Sequence, residues 1–157
     1  MNTVCDRSEA QRTAVNQRVE LSRTGDRQQI VEAAIQRWFT PQFAKQHPDV
    51  LQRMRWRMAE NDNDAYARAY AVFATADEEL VPLISKIVTP TLVITGEDDS
   101  NSTPEMAHKL ASLLPNGQAT ILARQRHMTP LEAPEELSQQ ILGFLCSEIG
   151  NSDGAKG

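Results

Sequence analysis

Two short stretches of the sequence end in side chains that can move a proton. In TLVITGEDDSNSTPEM (91–106) an apolar run closes on Gly96 and is followed by Asp98 and Asp99. In ATILARQRHMTPLEAP (119–134) a second apolar run is followed by His127. If the two loops lie side by side, a carboxylate can accept a hydrogen bond from imidazole Nδ1. That contact fixes the tautomer and stabilises the imidazolium formed when the ring takes up a proton. An acid and a histidine so placed are two parts of a hydrolytic triad. The third part, a nucleophile, is in neither stretch.

The elements that must position these groups are legible around them. TLVIT and ATILA are rich in β-branched residues and bounded by Pro90, Gly96 and Gly117, which predicts strands buried on both faces, as in a parallel sheet. Between them Met106, Leu110, Leu113 and Leu114 mark a helix, with Ser102 and Glu105 as its capping-box start and PNG (115–117) as its stop. Leu137, Ile141, Phe144 and Leu145 mark a final helix, in which Cys146 is expected to pack. The unit reads β-α-β-α with a right-handed crossover. Adjacent parallel strands would bring their carboxyl-end loops together, and with them the acid and the histidine.

Before residue 88 every strong signal is helical. DRQQIVEAAIQRWF offers Asp26 as a cap and Gln29 three residues on, then Val31, Ala34, Ile35 and Trp38 at helical spacing. Thr40 before Pro41 opens another short helix. DVLQRMRWRMAE and DAYARAYAVFATA follow, separated by ENDND (60–64), and residues 7–22 carry a thin stripe of Ala10, Ala14, Val15 and Val19. The expected organisation is a helical segment over 1–88, a β-α-β-α part over 89–149 and a flexible tail over 150–157. Two parallel strands alone make a poor sheet. The open edge of TLVIT is therefore expected to favour self-association.

Composition narrows the remaining classes. The 157 residues are 40% hydrophobic and 24% charged with a net charge of −5, and the basic residues are dispersed, which argues against a nucleic-acid surface. The densest basic stretch, RMRWR (53–57), reads as a solvated helix face. No apolar run approaches the roughly 18–20 residues of a membrane span, and the polar start MNTVCDRSEAQR lacks the apolar core of a signal peptide. Cys5 and Cys146 have no CxxC spacing and suggest neither a metal site nor a disulfide framework. A reducing, cytoplasmic location is expected. His47, beside Pro48, and His108, off the leucine stripe, read as solvated.

With these residues in view, the chain resembles the C-terminal half of an α/β-hydrolase of the 3-oxoadipate enol-lactonase-like group. RWFTPQFAKQHPDV (37–50) is similar to the cap segment of that group. PTLVITGEDDSNSTPEMAHKLASLLPNGQATIL resembles its seventh strand, acid turn, following helix and eighth strand, and RHMTPLEAPEELSQQILGFL its histidine loop and last helix. The resemblance implies an α/β fold class: a partial α/β-hydrolase fold with a helical cap segment followed by a β-α-β-α unit containing two parallel strands. It places the G-x-x-D turn of the family on Gly96 and Asp99, making Asp99 the catalytic acid, Asp98 its solvated neighbour and His127 the catalytic base. Trp38, Phe39 and Met128 fall where cap and loop residues line the acyl or lactone pocket. The chemistry it implies needs no metal or organic cofactor, and the partner is a small-molecule ester or lactone if an N-terminal half completes the site. The departure is the nucleophile: no G-x-S-x-G elbow occurs among these residues, and the oxyanion loop that accompanies it is missing too. The alternative is a binding or regulatory module that kept the two loops without the chemistry.

Overall fold

The computed structural model describes residues 1–154. Five helices come first: α1 (Glu9–Thr24), α2 (Arg27–Trp38), α3 (Pro41–Gln46), α4 (Pro48–Ala59) and α5 (Asn63–Leu80), the last running into a 3-10 turn at Val81–Lys86. Strand β1 (Thr91–Gly96), helix α6 (Pro104–Leu113) and strand β2 (Gly117–Leu122) follow, then α7 (Thr129–Glu132) and α8 (Pro134–Gly154). Part of the tail expected to be flexible is thus the end of α8; residues 155–157 lie outside the described residues.

Local chemistry sets most of these boundaries. Ser8 and Gln11 form a reciprocal capping box at the start of α1. Asp26 caps α2, but through the Gln28 N–H and not through a box with Gln29. Thr40 accepts from the Phe43 N–H with Pro41 in the first turn of α3, and Asp62 caps α5 within the ENDND break. The expected cap of α6 is displaced by one residue. Thr103 accepts from the Met106 N–H, because Pro104 needs no N–H partner in the first turn and leaves Ser102 outside the helix.

The helical part packs in two places. Val31, Ala34, Ile35 and Phe39 of the α2 region bury against Leu51 and Met58 of α4. Val15 and Val19 of α1 bury against Ala74 of α5, and there the stripe thins as expected, since Ala10 is exposed. An ion pair closes the α1–α5 contact: Arg7 Nη1 donates to Asp77 Oδ1 at 2.7 Å and the Arg7 N–H to Oδ2 at 3.0 Å, both side chains almost wholly buried.

The sheet has two parallel strands, with Thr91 opposite Gly117 and Gly96 opposite Leu122. Its burial corrects the expectation of strands covered on both faces. The last four residues of β1 are buried, whereas in β2 only Leu122 is. Helix α6 covers one face, where Val93, Ala107 and Leu114 meet Cys5 and Ile84. On the other, α8 reaches only as far as Ile94 and Leu122 with Leu137, half-burying Ile141. Farther along α8 Phe144 is partly buried, but Leu142 is 60% exposed and Leu145 48%, and Cys146 is exposed with them, not packed as expected. The edge of β1 is partly met by the chain's own start, since the Asn2 N–H donates to the Ile94 carbonyl at 2.8 Å.

Candidate active site

The acid loop and the histidine loop are stitched together at the carboxyl ends of β1 and β2. The Glu97 N–H donates to the Leu122 carbonyl and the Asp98 N–H to the Gln125 carbonyl, each at 2.9 Å. In return the Arg124 N–H donates to the Glu97 carboxylate at 2.8 Å, with Arg124 held at φ 57. Gly96 is what permits this approach. A Cβ there would lie 2.2 Å from the Gln125 carbonyl oxygen and 2.5 Å from that of Arg126.

Past this seam the chain turns Asp98 out to solvent and Asp99 inward, where it is 2% exposed. Every bond the Asp99 carboxylate makes is one it accepts. Oδ1 takes the Asn101 and Ser102 N–H groups at 2.9 and 3.0 Å. Oδ2 takes His127 Nδ1 at 2.8 Å, Asn2 Nδ2 at 3.0 Å and the Thr95 hydroxyl at 3.3 Å. Burial pushes the carboxyl up, but the bonds from His127, Ser102 and Asn2 together outweigh it and hold its pKa below the ordinary carboxylate value. Asp99 is therefore an anion, and an anion can only accept. The shared proton lies on His127 Nδ1, which leaves Nε2 as the basic nitrogen.

The imidazole is held by more than the acid. Trp38 stacks beside it, with ring centroids 6.2 Å apart. The next residue, Met128, donates its N–H to the Trp38 carbonyl at 3.0 Å, tying the histidine loop to the end of α2. Glu132 in α7 accepts from the Thr40 N–H at 2.6 Å and the Arg126 N–H at 3.2 Å, and Arg126 Nη1 reaches the Phe39 carbonyl at 3.0 Å. The helical segment and the loops carrying Asp99 and His127 are one assembly at this seam.

A cavity of about 140 Å³ opens beside His127, lined also by Trp38, Asn2 and Ser102. The structure thus brings Asp99, His127 and Trp38 together. It does not bring Phe39 to that cavity: Phe39 is 2% exposed, stacked on Phe43 at 5.4 Å inside the α2–α4 cluster. Met128 packs against the same cluster and fastens the loop. His108 is exposed; His47 is also exposed, with its ring tilted over Phe43 at 4.5 Å. Among the described residues no group of three or more His, Cys, Asp or Glu is placed to hold a metal ion, and no helix is long and apolar enough to cross a membrane.

Asn2, Thr95 and Ser102 were not singled out for this site in the sequence. Thr95 reads as an ordinary strand residue and Ser102 as a helix cap. Asn2 lies 97 positions from Asp99, beyond any local spacing. It also links the two loops, because its Oδ1 accepts from the Thr129 hydroxyl at 3.0 Å while its amide donates to Asp99.

Two parallel strands carrying an acid and a histidine at their carboxyl ends, with helices over the site, match the arrangement expected of the C-terminal part of an α/β-hydrolase. No protein-family model matches the chain, but individual relatives do. It is 34% identical over 145 residues to (E)-2-((N-methylformamido)methylene)succinate hydrolase of Acinetobacter baylyi, covering 92% of this chain and 54% of that protein. It is 27% identical over 140 residues to 3-oxoadipate enol-lactonase 2 of the same organism, covering 89% and 51%. Among solved structures, the enol-lactonase from Burkholderia xenovorans LB400 superposes with a TM-score of 0.76 at 26% identity, covering 85% of this chain and 50% of that one. The chain belongs to the α/β-hydrolase superfamily, and within it is similar to the 3-oxoadipate enol-lactonase-like group. It spans about half the length of the curated relatives it matches.

Proposed function

We propose that this chain carries the acid and the base of an ester or lactone hydrolase acting on small molecules, with Asp99 and His127 in those roles. The observation that supports this most is the buried, fully bonded Asp99 accepting from His127 Nδ1 at 2.8 Å. With the Nδ1 proton so held, Nε2 is free to take the proton of an attacking hydroxyl and to return it to the leaving group, after which water releases the acyl group. Trp38 walls the cavity in which the acyl group would sit. The attacking serine and the oxyanion donors come from a nucleophile elbow that residues 1–157 do not contain. Alone, the chain is therefore close to inert, since loss of a triad member costs several orders of magnitude in rate.

The test is complementation. The chain is mixed with an N-terminal hydrolase half bearing a G-x-S-x-G turn, and turnover of a small ester is followed. Restored turnover that disappears with His127→Ala supports the reading. Tight association of the halves without turnover, or turnover indifferent to His127→Ala, favours the non-catalytic binding module.

A further inference from the structure

Asp99 meets His127 through one hydrogen bond between two loops, and one such bond fixes neither a carboxylate nor a ring. An aspartate side chain turns easily about its last torsion. The backbone seam between the loops lies to one side of the pair, ending at Asp98 and Gln125. A second tie closes the other side. Asn2 Nδ2 donates to Asp99 Oδ2 at 3.0 Å, and Asn2 Oδ1 accepts from the Thr129 hydroxyl at 3.0 Å. His127 therefore stands between two crossings, at Gln125 before it and at Thr129 after it. Thr129 is wholly buried at the start of α7, so the second crossing has a firm footing.

The chemistry of the bridge selects an amide. Asp99 is an anion and can only accept, while the Thr129 hydroxyl has one proton to give. A side chain between them must donate at one atom and accept at its neighbour, which an asparagine does. Asn2 also sits at φ 46, a left-handed conformation that asparagine tolerates better than most residues with a Cβ. Its backbone is anchored on both sides. The Asn2 N–H donates to the Ile94 carbonyl at 2.8 Å, and farther along Cys5 is buried against Ile84 and Val93 and Arg7 is paired with Asp77.

We infer that Asn2 is a positioning residue for the acid–histidine pair: by bridging Asp99 to Thr129 it fixes the carboxylate plane and the loop that carries His127. Oδ1 of Asp99 is held by the Asn101 and Ser102 N–H groups of its own loop. Asn2 holds Oδ2 from outside that loop, which leaves the carboxylate one orientation toward Nδ1. In this role Asn2 acts through Asp99 and not on a reacting atom. The ordering of His127 needs no reaction; its effect on turnover rests on the proposed hydrolytic role.

The test compares three variants of the full chain. Thr129→Val removes the hydroxyl at nearly constant volume, Thr129→Ser keeps it, and Asn2→Asp keeps the shape of the bridge but loses its donor. Thermal melts check that each folds. Exchange of the His127 Nδ1 proton with water, followed by NMR, is expected to rise about fivefold to tenfold in Thr129→Val, the worth of one lost hydrogen bond. Thr129→Ser restores the wild-type rate. In Asn2→Asp two carboxylates meet where one hydrogen bond stood and cannot both ionise freely, so carbon NMR finds one of them protonated above the ordinary carboxylate range. In the complemented enzyme, Thr129→Val lowers kcat about tenfold or more with KM unchanged, because Thr129 is buried off the cavity wall. Unchanged proton exchange in a folded Thr129→Val chain, or exchange raised equally in Thr129→Ser, overturns the inference. So does an Asn2→Asp chain whose two carboxyl groups titrate in the ordinary range. The hydrolytic reading fails separately: faster exchange in Thr129→Val, with no turnover from the complemented halves, removes the hydrolase and leaves the positioning role. Turnover whose kcat is indifferent to Thr129→Val does the reverse.

Discussion

At the scale of single residues, the proposed chemistry turns on how Asp99 is kept charged at 2% exposure. An isolated buried carboxylate would be neutral; five donors around this one prevent that. The sign of the pH dependence follows. The Asp99 pKa is lower folded than unfolded, so the unfolded chain binds more protons in acid. The stability Asp99 contributes is complete above its unfolded value of about 4 and is lost as pH falls through the lower folded value. Chemical denaturation of wild type and Asp99→Asn across this range should show the acid-side loss to be smaller in the variant; identical profiles would show that Asp99 is not the titrating group. In the complemented enzyme, Asp99→Asn should lower turnover by about ten-thousandfold, as expected when the imidazole loses the partner that sets its tautomer. The pairing of Asp99 with His127 was legible in the sequence because each follows a recognisable strand. Their supporters were not. Asn2 contacts the site only through tertiary folding, and Phe39, read as a pocket residue, lies in the helical core because the end of α2 turns its ring toward Phe43.

At the scale of elements, the site depends on the two loops touching. Gly96 stands where any side chain meets two carbonyl oxygens, so Gly96→Ala should cost about 2–3 kcal/mol as the loops are forced apart. An equilibrium denaturation curve unchanged by the substitution would contradict the close approach. Removal of Asp77 leaves the Arg7 guanidinium buried and unpaired, and Asp77→Ala should cost about 3–5 kcal/mol. Thr103→Ala should cost about 1 kcal/mol as the α6 cap, while Ser102→Ala has no cap bond to lose. The reverse ranking in denaturant melts would restore Ser102 as the cap. Boundaries of this kind were largely readable, since caps and prolines act locally. The half-covered state of β2 was not. It depends on what packs over ATILA, and α8 covers only the end that carries Leu122.

For the whole molecule, the balance of covered and uncovered surface is what stands out. Among the described residues the apolar side chains bury in four separate clusters instead of one core, and Ile87, Val88, Leu142 and Leu145 remain about half or more exposed. The two-stranded sheet has no strand beyond β2 among the described residues, and β1 meets only the first residues on its other edge. A chain so built should self-associate, raising its weight-average mass with concentration in sedimentation equilibrium and broadening its melt. A sharp melt with a concentration-independent monomer mass would contradict this. The parallel pairing could be inferred from two β-branched runs; the missing cover could be inferred only from the shortness of the sheet. The account as a whole stands on the claim that Asp99 holds the proton of His127 on Nδ1. Nitrogen NMR of the His127 ring measures that most directly. A proton held on Nδ1 is expected in the wild-type chain, with the preference lost in Asp99→Asn. An Nε2-protonated ring in the wild type, or a tautomer indifferent to the substitution, would contradict it.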